Sequence, residues 1–229
     1  MADFEDPFGS SVALARWVAG ILRAQGIDYI SKWRMLKYWM QVELYRAVND
    51  NKAGAWRHVG DHEQPYYTQT PRSDRKSNVK WVDLLLAQPD PKSSKKIVWV
   101  ELKDVGRNEH TLKANSVGIG QDLAALYKLN RSDSKALWLD PQASRVDRGR
   151  VAEWKEYAAA LDCDDHFIAQ IVLVPRGLAE RNAEMVVALW LRTFERRVQV
   201  SPQSHNISIE RSDTDEFAIF ALVSRLRTS

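Results

Sequence analysis

The sequence predicts an α/β protein, with helices flanking a mixed β-sheet. Three observations favour this class: apolar residues recur at helical spacing near the N-terminus, two β-prone runs follow as a hairpin, and helical and strand-like segments alternate after it. The chain has 229 residues, of which 45% are hydrophobic, enough for a substantial core. No linker-like segment interrupts it, so we expect residues 1–229 to form one domain.

Two amphipathic helices are predicted before the hairpin, over residues 10–25 and 32–49. The second helix has an apolar stripe at i, i+4, i+7 and i+11 spacing, formed by Leu36, Met40, Glu43 and Ala47. A glutamate within an apolar stripe indicates a carboxylate directed at a specific partner. Glu43 is therefore a candidate site residue, and an ordinary helix-surface glutamate that pairs with Arg46 or Lys37 is the alternative.

The hairpin carries charged residues among apolar ones. Asp83 lies inside the run 81–86, and Glu101 and Lys103 follow the run 97–100. Charged side chains are rarely buried unless they are paired or metal-bound. A turn centred near Lys92 places Asp83 opposite Glu101, and the two-residue period of a strand puts Glu101 and Lys103 on one face. The sequence therefore predicts two facing carboxylates with a lysine beside them.

Facing carboxylates repel each other unless a divalent cation lies between them. Mg²⁺, or Mn²⁺ in its place, suits one or two carboxylates, several waters and a phosphate oxygen. A nearby lysine can orient or deprotonate an attacking water, or stabilise charge that develops on a phosphate. The pattern thus indicates a site of phosphodiester hydrolysis. A cross-strand salt bridge on a half-exposed sheet is the structural alternative.

The order of these residues resembles the PD-(D/E)XK nuclease superfamily, which has the restriction-endonuclease-like fold. The family motif is an acid on one strand and (Asp/Glu)-x-Lys on the next, matched here by Asp83, Glu101 and Lys103, with Val82 in place of the proline. The resemblance covers roughly residues 33–130. It implies a nuclease core over about 30–175, an N-terminal helix and a C-terminal extension.

The resemblance also implies a role for each site residue. Asp83 and Glu101 would hold Mg²⁺ or Mn²⁺ with the Leu102 carbonyl, and Lys103 would assist the water. Glu43 would bind a second metal or a metal-bound water. In a helix predicted over 120–130, Gln121 would help to place the substrate.

The implied function is metal-dependent hydrolysis of DNA, as an endonuclease or an exonuclease, and a homodimer is left open. One alternative is a non-catalytic nucleic-acid-binding or assembly module that retains the fold. Another is an unrelated α/β protein whose Glu-Leu-Lys forms a surface salt bridge. The net charge of +3 does not by itself indicate nucleic acid, but basic residues flank the hairpin in clusters over 32–37, 72–80, 92–96 and 107–113, where they would neutralise phosphates.

The single cysteine, Cys163, excludes an intramolecular disulfide and a thiolate zinc cluster, and it favours a reducing, cytoplasmic setting. No run approaches the length of a membrane span and no signal peptide is evident, so no membrane partner is expected. His58, His62 and Glu63 form a weak metal-binding pattern, because their segment has no helical periodicity.

The remaining segments are predicted from local pattern. We expect strands over 136–140, 167–174, 206–210 and 217–226, a helix over 148–161 and a turn over 211–215, while 185–194 fits a strand or a helix. Tryptophans in apolar runs are expected in the core, namely Trp81, Trp99, Trp138 and Trp190.

Overall fold

The computed structural model describes residues 5–24, 36–60, 63–68, 79–88, 96–105, 108–130, 134, 157, 159–163, 165–199 and 207–226. Its helices are α1 (Ser11–Ala24), α2 (Leu36–Asn49), α3 (Glu109–Tyr127) and α4 (Arg176–Val198). Its strands are β1 (Arg57–His58), β2 (Gln64–Thr68), β3 (Val79–Val82), β4 (Leu84–Gln88), β5 (Lys96–Asp104), β6 (Leu129–Asn130), β7 (Asp165–Pro175), β8 (Ile209–Asp213) and β9 (Phe217–Arg225). The predicted α/β class is confirmed.

The main sheet has six strands in the order β1-β4-β5-β7-β9-β8. Strands β5 and β7 run parallel, and the other neighbours run antiparallel, so the sheet is mixed, as predicted. A smaller antiparallel sheet has the order β3-β2-β6. The nearly continuous apolar sequences of β5 and β7 suit central strands that are covered on both faces.

Helices cover both faces of the main sheet. Helices α3 and α4 pack on the face that contains Trp99, and α1 and α2 pack on the face that contains Val98 and Val100. Because side chains alternate along a strand, Glu101 and Lys103 emerge on the same side as Trp99. Across the described ranges, no helix combines the length and the hydropathy that a membrane span requires.

The predicted elements match the structure to different degrees. Helix α1 and strands β7 and β9 are confirmed, and residues 185–194 are helical, within α4. The turn predicted over 211–215 begins later than expected, because β8 continues to Asp213 before the chain turns into β9. Helix α3 begins at Glu109, well before the predicted start at residue 120, and the Asn108 side chain caps it by accepting from the Thr111 N–H at 2.9 Å. The predicted strand 136–140 and most of the predicted helix 148–161 lie outside the described residues.

The predictions that certain tryptophans lie in the core are also partly confirmed and partly wrong. Trp99 and Trp190 are fully buried, as predicted, and Trp138 lies outside the described residues. The prediction for Trp81 is wrong, because its side chain is 38% exposed. The reason is topological: Trp81 belongs to β3 of the small sheet and not to the central strands of the main sheet.

Gly120 lies where α3 crosses α4. A Cβ atom built on Gly120 would lie 2.5 Å from the Trp190 carbonyl oxygen and 2.7 Å from the Thr193 Cβ. Neither atom is the far end of a flexible side chain, so the two helices would have to separate to admit a methyl group. Gly120 is therefore required by close helix packing.

We expect Gly120→Ala to lower the free energy of unfolding by about 1–3 kcal/mol, the usual cost of overpacking. Gly118→Ala is the matched control, because Gly118 lies in the same helix and its added Cβ would meet no atom within 4 Å. That change should stabilise the protein by up to about 1 kcal/mol through helix propensity. Thermal melting of both variants checks the prediction, and similar melting temperatures would contradict the crossing described here.

Candidate active site

Asp83 occupies the break between two strands that belong to different sheets. Strand β3 ends at Val82 and pairs with β2, whereas β4 begins at Leu84 and pairs with β5. If β3 and β4 were one strand paired with β5 throughout, Val82 would lie opposite Leu102. Instead, the Leu102 N–H donates to Asp83 Oδ2 at 2.7 Å. The carboxyl group thus satisfies a backbone donor that the sheet change would leave unpaired, and this bond holds Asp83 against β5.

The register of β4 and β5 bears out the predicted hairpin. Leu84 pairs with Val100 and Leu85 with Trp99. Continuing this ladder by one residue brings Asp83 level with Glu101, as a turn centred near Lys92 requires. Both acids are buried, with exposed fractions of 2% and 5%. Two carboxyl groups therefore lie side by side away from solvent.

Two lysines reach these acids from different elements. Lys103 Nζ lies 3.2 Å from Glu101 Oε1, so these side chains converge on one face of β5, as predicted. The same ammonium group lies 2.9 Å from Asp122 Oδ2 of α3. On the other side, Lys37 Nζ of α2 lies 2.7 Å from Asp83 Oδ1. The side chain of Gln41, one turn further along α2, donates to the Asp83 carbonyl at 2.9 Å.

Strand β2 of the small sheet adds a further acid and a phenol. Glu63, just before β2, hydrogen-bonds to the Asp83 side chain, and burial together with the charge of Asp83 raises the pKa of Glu63. Tyr66 is buried, and its ring meets the Trp99 ring edge-on at a centroid distance of 5.8 Å. Burial and the nearby acids, Glu101 first, raise the pKa of Tyr66, so its hydroxyl is neutral.

The site holds more acidic than basic groups. Its carboxyl groups belong to Glu63, Asp83, Glu101 and Asp122, and its ammonium groups belong to Lys37 and Lys103. With all of them ionised, negative charge exceeds positive charge by two. Burial, and then the charge of Asp83, raise the pKa of Glu101 to about 8. Without a cation, the site therefore takes up a proton at neutral pH.

Lys103 remains charged in this environment. Burial by itself favours the neutral amine, but the attraction of Glu101 and Asp122 outweighs it and raises the pKa of Lys103 above its ordinary value. A lysine of this kind holds its proton at neutral pH. It is suited to stabilising negative charge and is poorly suited to removing a proton from water.

The structure brings Asp83, Glu101, Leu102 and Lys103 together, and it places the other two predicted residues differently. Glu43 is buried, unlike the surface glutamate of the alternative prediction, and its Oε1 pairs with Arg46 Nη1 at 3.0 Å. At about 100° per residue, Glu43 lies about 200° around the helix from Gln41, the residue that bonds to Asp83. Lys37 and Gln41 are α2 side chains that contact Asp83.

Gln121 is exposed on α3, and the next residue, Asp122, contacts Lys103. Helical phase distinguishes the two, because Asp122 lies within about 60° of Ile119 on the buried face, whereas Gln121 lies about 160° away. Asp122 and Lys37 also lie at helical spacing beside apolar residues, so the pattern that predicted Glu43 predicts them as well. Glu63 precedes a short strand in a polar segment, and its only signal in the sequence is the weak metal-binding pattern with His58 and His62.

The carboxyl oxygens at this site suit a hard cation. No three His, Cys, Asp or Glu side chains are already grouped around one metal position in the part of the chain that the structure describes. Mg²⁺ needs fewer, because one or two carboxylates suffice when waters and substrate oxygens complete its shell. Asp83 and Glu101 fit that requirement, provided that Lys37 releases Asp83 Oδ1. The predicted role of the Leu102 carbonyl as a further ligand stays a prediction.

The basic clusters expected around the site are described only in part. Lys37, Lys80, Lys96 and Lys113 lie within the described residues, and of these Lys37 is an ion-pair partner in the site. The other members, and His62 of the weaker metal pattern, lie outside the described residues.

Comparisons with known proteins give no relative, since no protein-family model, curated protein or solved structure matches the chain. Function is therefore inferred from the geometry and charge of the site.

Proposed function

We propose that the protein is a divalent-metal-dependent nuclease that hydrolyses phosphodiester bonds in DNA. The observation that carries this proposal is the buried, level pair of Asp83 and Glu101 in a site with excess negative charge. Buried charges are normally balanced by partners, and an unbalanced pair destabilises the fold. Such arrangements are concentrated at functional sites, where a cation or a substrate completes the balance.

In this proposal Asp83 and Glu101 hold Mg²⁺ or Mn²⁺, with the Leu102 carbonyl as a further ligand. The bound ion would polarise the phosphoryl oxygen and promote attack by water. The Leu102 N–H and the side chain of Gln41 both bond to Asp83 and fix the position of its carboxyl group. These bonds keep the donor oxygens aligned with β5 before a cation arrives, which reduces the cost of organising the site.

The lysines supply positive charge for the phosphate. Lys103 stabilises the charge that develops on the phosphoryl oxygens, and Asp122 acts as a positioning residue that keeps Lys103 protonated and directed into the site. Lys37, which pairs with Asp83 at 2.7 Å, would be free to face the substrate once a cation took its place. The order of acids and lysine resembles that of the PD-(D/E)XK nucleases, which supports the same assignment of roles to Asp83, Glu101 and Lys103.

The direct test is cleavage of plasmid DNA and of a single-stranded oligonucleotide with Mg²⁺, with Mn²⁺ and with EDTA. We expect cleavage of at least one of the two DNAs with either ion and cleavage of neither with EDTA. Asp83→Asn keeps the size of the side chain and should abolish cleavage, because it removes a charged metal ligand. Asp104→Asn is the matched control. Asp104 follows Lys103 but lies on the opposite face of β5, so this variant should cleave normally.

Two results would contradict the proposal. Cleavage by Asp83→Asn at the normal rate would remove the carboxylate from the mechanism. DNA binding by folded wild-type protein without cleavage under any metal condition would favour the non-catalytic nucleic-acid-binding module. Calorimetric titration with Mn²⁺ on the same preparations shows whether ion binding and cleavage are lost together.

A further inference from the structure

A groove of about 640 Å³ opens directly beside the acidic site. Asp83 and Glu63 form part of its wall, so the groove and the proposed metal position share side chains. Its volume lies within the range of sites that bind ligands, about 300–1,000 Å³. Whatever occupies the groove therefore lies next to the reacting phosphate.

The walls of the groove carry exposed apolar side chains. Tyr38 and Val42, one turn apart on α2, are 56% and 49% exposed, and Trp81 of β3 is 38% exposed. Among the described residues these are the exposed large hydrophobic side chains, and all of them line this one groove. Clustered exposed apolar surface marks a binding site more often than single exposed residues do.

The chemistry of the groove favours nucleobases as its occupant. Exposed tyrosine and tryptophan rings stack on bases of any sequence, and at single-strand sites they usually lie beside groups that bind the backbone. Here the rings adjoin Asp83, which contacts Lys37, and Lys103 lies on the other side of the acid pair. Phosphate at the lysines and bases on the rings would thus belong to one strand. Bases in an intact duplex are stacked on one another and cannot reach such rings.

We propose that this groove binds unpaired nucleobases beside the cleaved phosphate, with Tyr38 and Trp81 as stacking residues, so that the substrate is single-stranded DNA or a single-stranded end. This inference rests on the proposed nuclease function and names its substrate class. It assigns a specificity role to two aromatic residues that lie outside the acid and lysine network.

The test measures binding in Mg²⁺ by fluorescence anisotropy, with nuclease-resistant phosphate linkages in every probe, so that the cation is present and cleavage plays no part in it. The probes are a single-stranded oligonucleotide, the same oligonucleotide with abasic sites throughout, and the duplex of that sequence. We expect Tyr38→Leu and Trp81→Leu each to weaken single-strand binding by roughly 5- to 100-fold, the range for loss of one stacked base. Binding of the abasic probe and of the duplex should change by less than about twofold, because neither offers an unpaired base to the rings.

Tyr38→Phe is the matched control, because it keeps the ring and should bind as the wild type does. Equal losses on the normal and abasic probes would overturn the inference, and so would unchanged binding in both leucine variants. Sedimentation would also overturn it if the wild type is a dimer and Trp81→Leu is a monomer. The groove would then be a contact between two copies of the chain. If the protein cleaves DNA with metal but the leucine variants bind single strands as well as the wild type, only the stacking inference is refuted. If the leucine variants lose single-strand binding but the wild type does not cleave DNA, only the nuclease proposal is refuted.

Discussion

Glu101→Gln should lower metal-dependent cleavage by at least about 1,000-fold and, in EDTA, raise the melting temperature of the same protein near pH 8. The loss of activity follows from removal of a metal ligand, since a bound ion contributes several kcal/mol to stabilising the transition state. The gain in stability follows from the raised pKa of Glu101, whose charged form is disfavoured in the folded protein.

The sign of the pH dependence follows from linkage. The pKa of Glu101 rises from an ordinary 4.5 to about 8 on folding, so the folded state binds the proton more tightly. Stability from this group is complete below pH 4.5 and is lost as the pH rises through about 8. Glutamine resembles the protonated acid at every pH. The melting temperatures of variant and wild type should therefore be similar near pH 4.5 and differ most above pH 8.

Asp83→Asn provides a matched background for this measurement. The charge of Asp83 is the second cause of the raised pKa of Glu101, after burial. The stabilisation produced by Glu101→Gln should therefore be smaller when Asp83 is already asparagine, which is a double-mutant cycle on the facing pair. Equal stabilisation in both backgrounds would mean that the two carboxyl groups do not interact. A lower melting temperature of Glu101→Gln near pH 8 would identify Glu101 as a stabilising salt-bridge partner of Lys103.

Lys103→Met should lower single-turnover cleavage by about 100- to 1,000-fold, the usual effect of removing a charge that stabilises the transition state. DNA affinity should change only a few-fold, because the interaction strengthens mainly as the reaction proceeds. Lys52→Met is a control for loss of one lysine, since Lys52 is exposed and pairs only locally with Asp50. Rates and melting curves from one preparation separate lost chemistry from lost folding.

Lys103→Arg distinguishes the two roles that lysine has in such sites. Arginine keeps the positive charge but does not give up a proton at any pH relevant to the protein. Because Lys103 is held protonated by Glu101 and Asp122, we expect arginine to retain much of the activity that methionine loses. Arginine and methionine variants with equally low activity, both folded, would instead assign proton transfer to Lys103.

The sequence was informative wherever neighbours along the chain decide the outcome. The apolar runs around Asp83 and Glu101 predicted adjacent strands, the polar turn between them predicted the register, and the two-residue period placed Glu101 and Lys103 on one face. Each of these follows from local backbone geometry. The structure agrees on all three, with Leu84 opposite Val100 and Lys103 contacting Glu101.

Errors arose where the same local pattern suits two structures. The helix predicted from residue 120 begins at Glu109, so Gly118 lies inside α3, and Gly120 lies inside it because a close helix crossing requires a glycine there. Trp81 lies in an apolar run but belongs to the small sheet and is exposed. A run of apolar residues indicates a strand and does not specify which sheet the strand joins.

By itself, the sequence determined the fold class and the facing pair of Asp83 and Glu101 with its adjacent lysine, because these depend on residues joined by one short turn. Only the tertiary structure decided which distant side chains complete the site. Lys37, Glu63 and Asp122 come from separate elements, and they meet the pair because helix phase, the change of sheet at Asp83 and the packing of α3 on β5 bring them there. Those contacts, together with burial, set the charge of the site and hence the chemistry proposed for it.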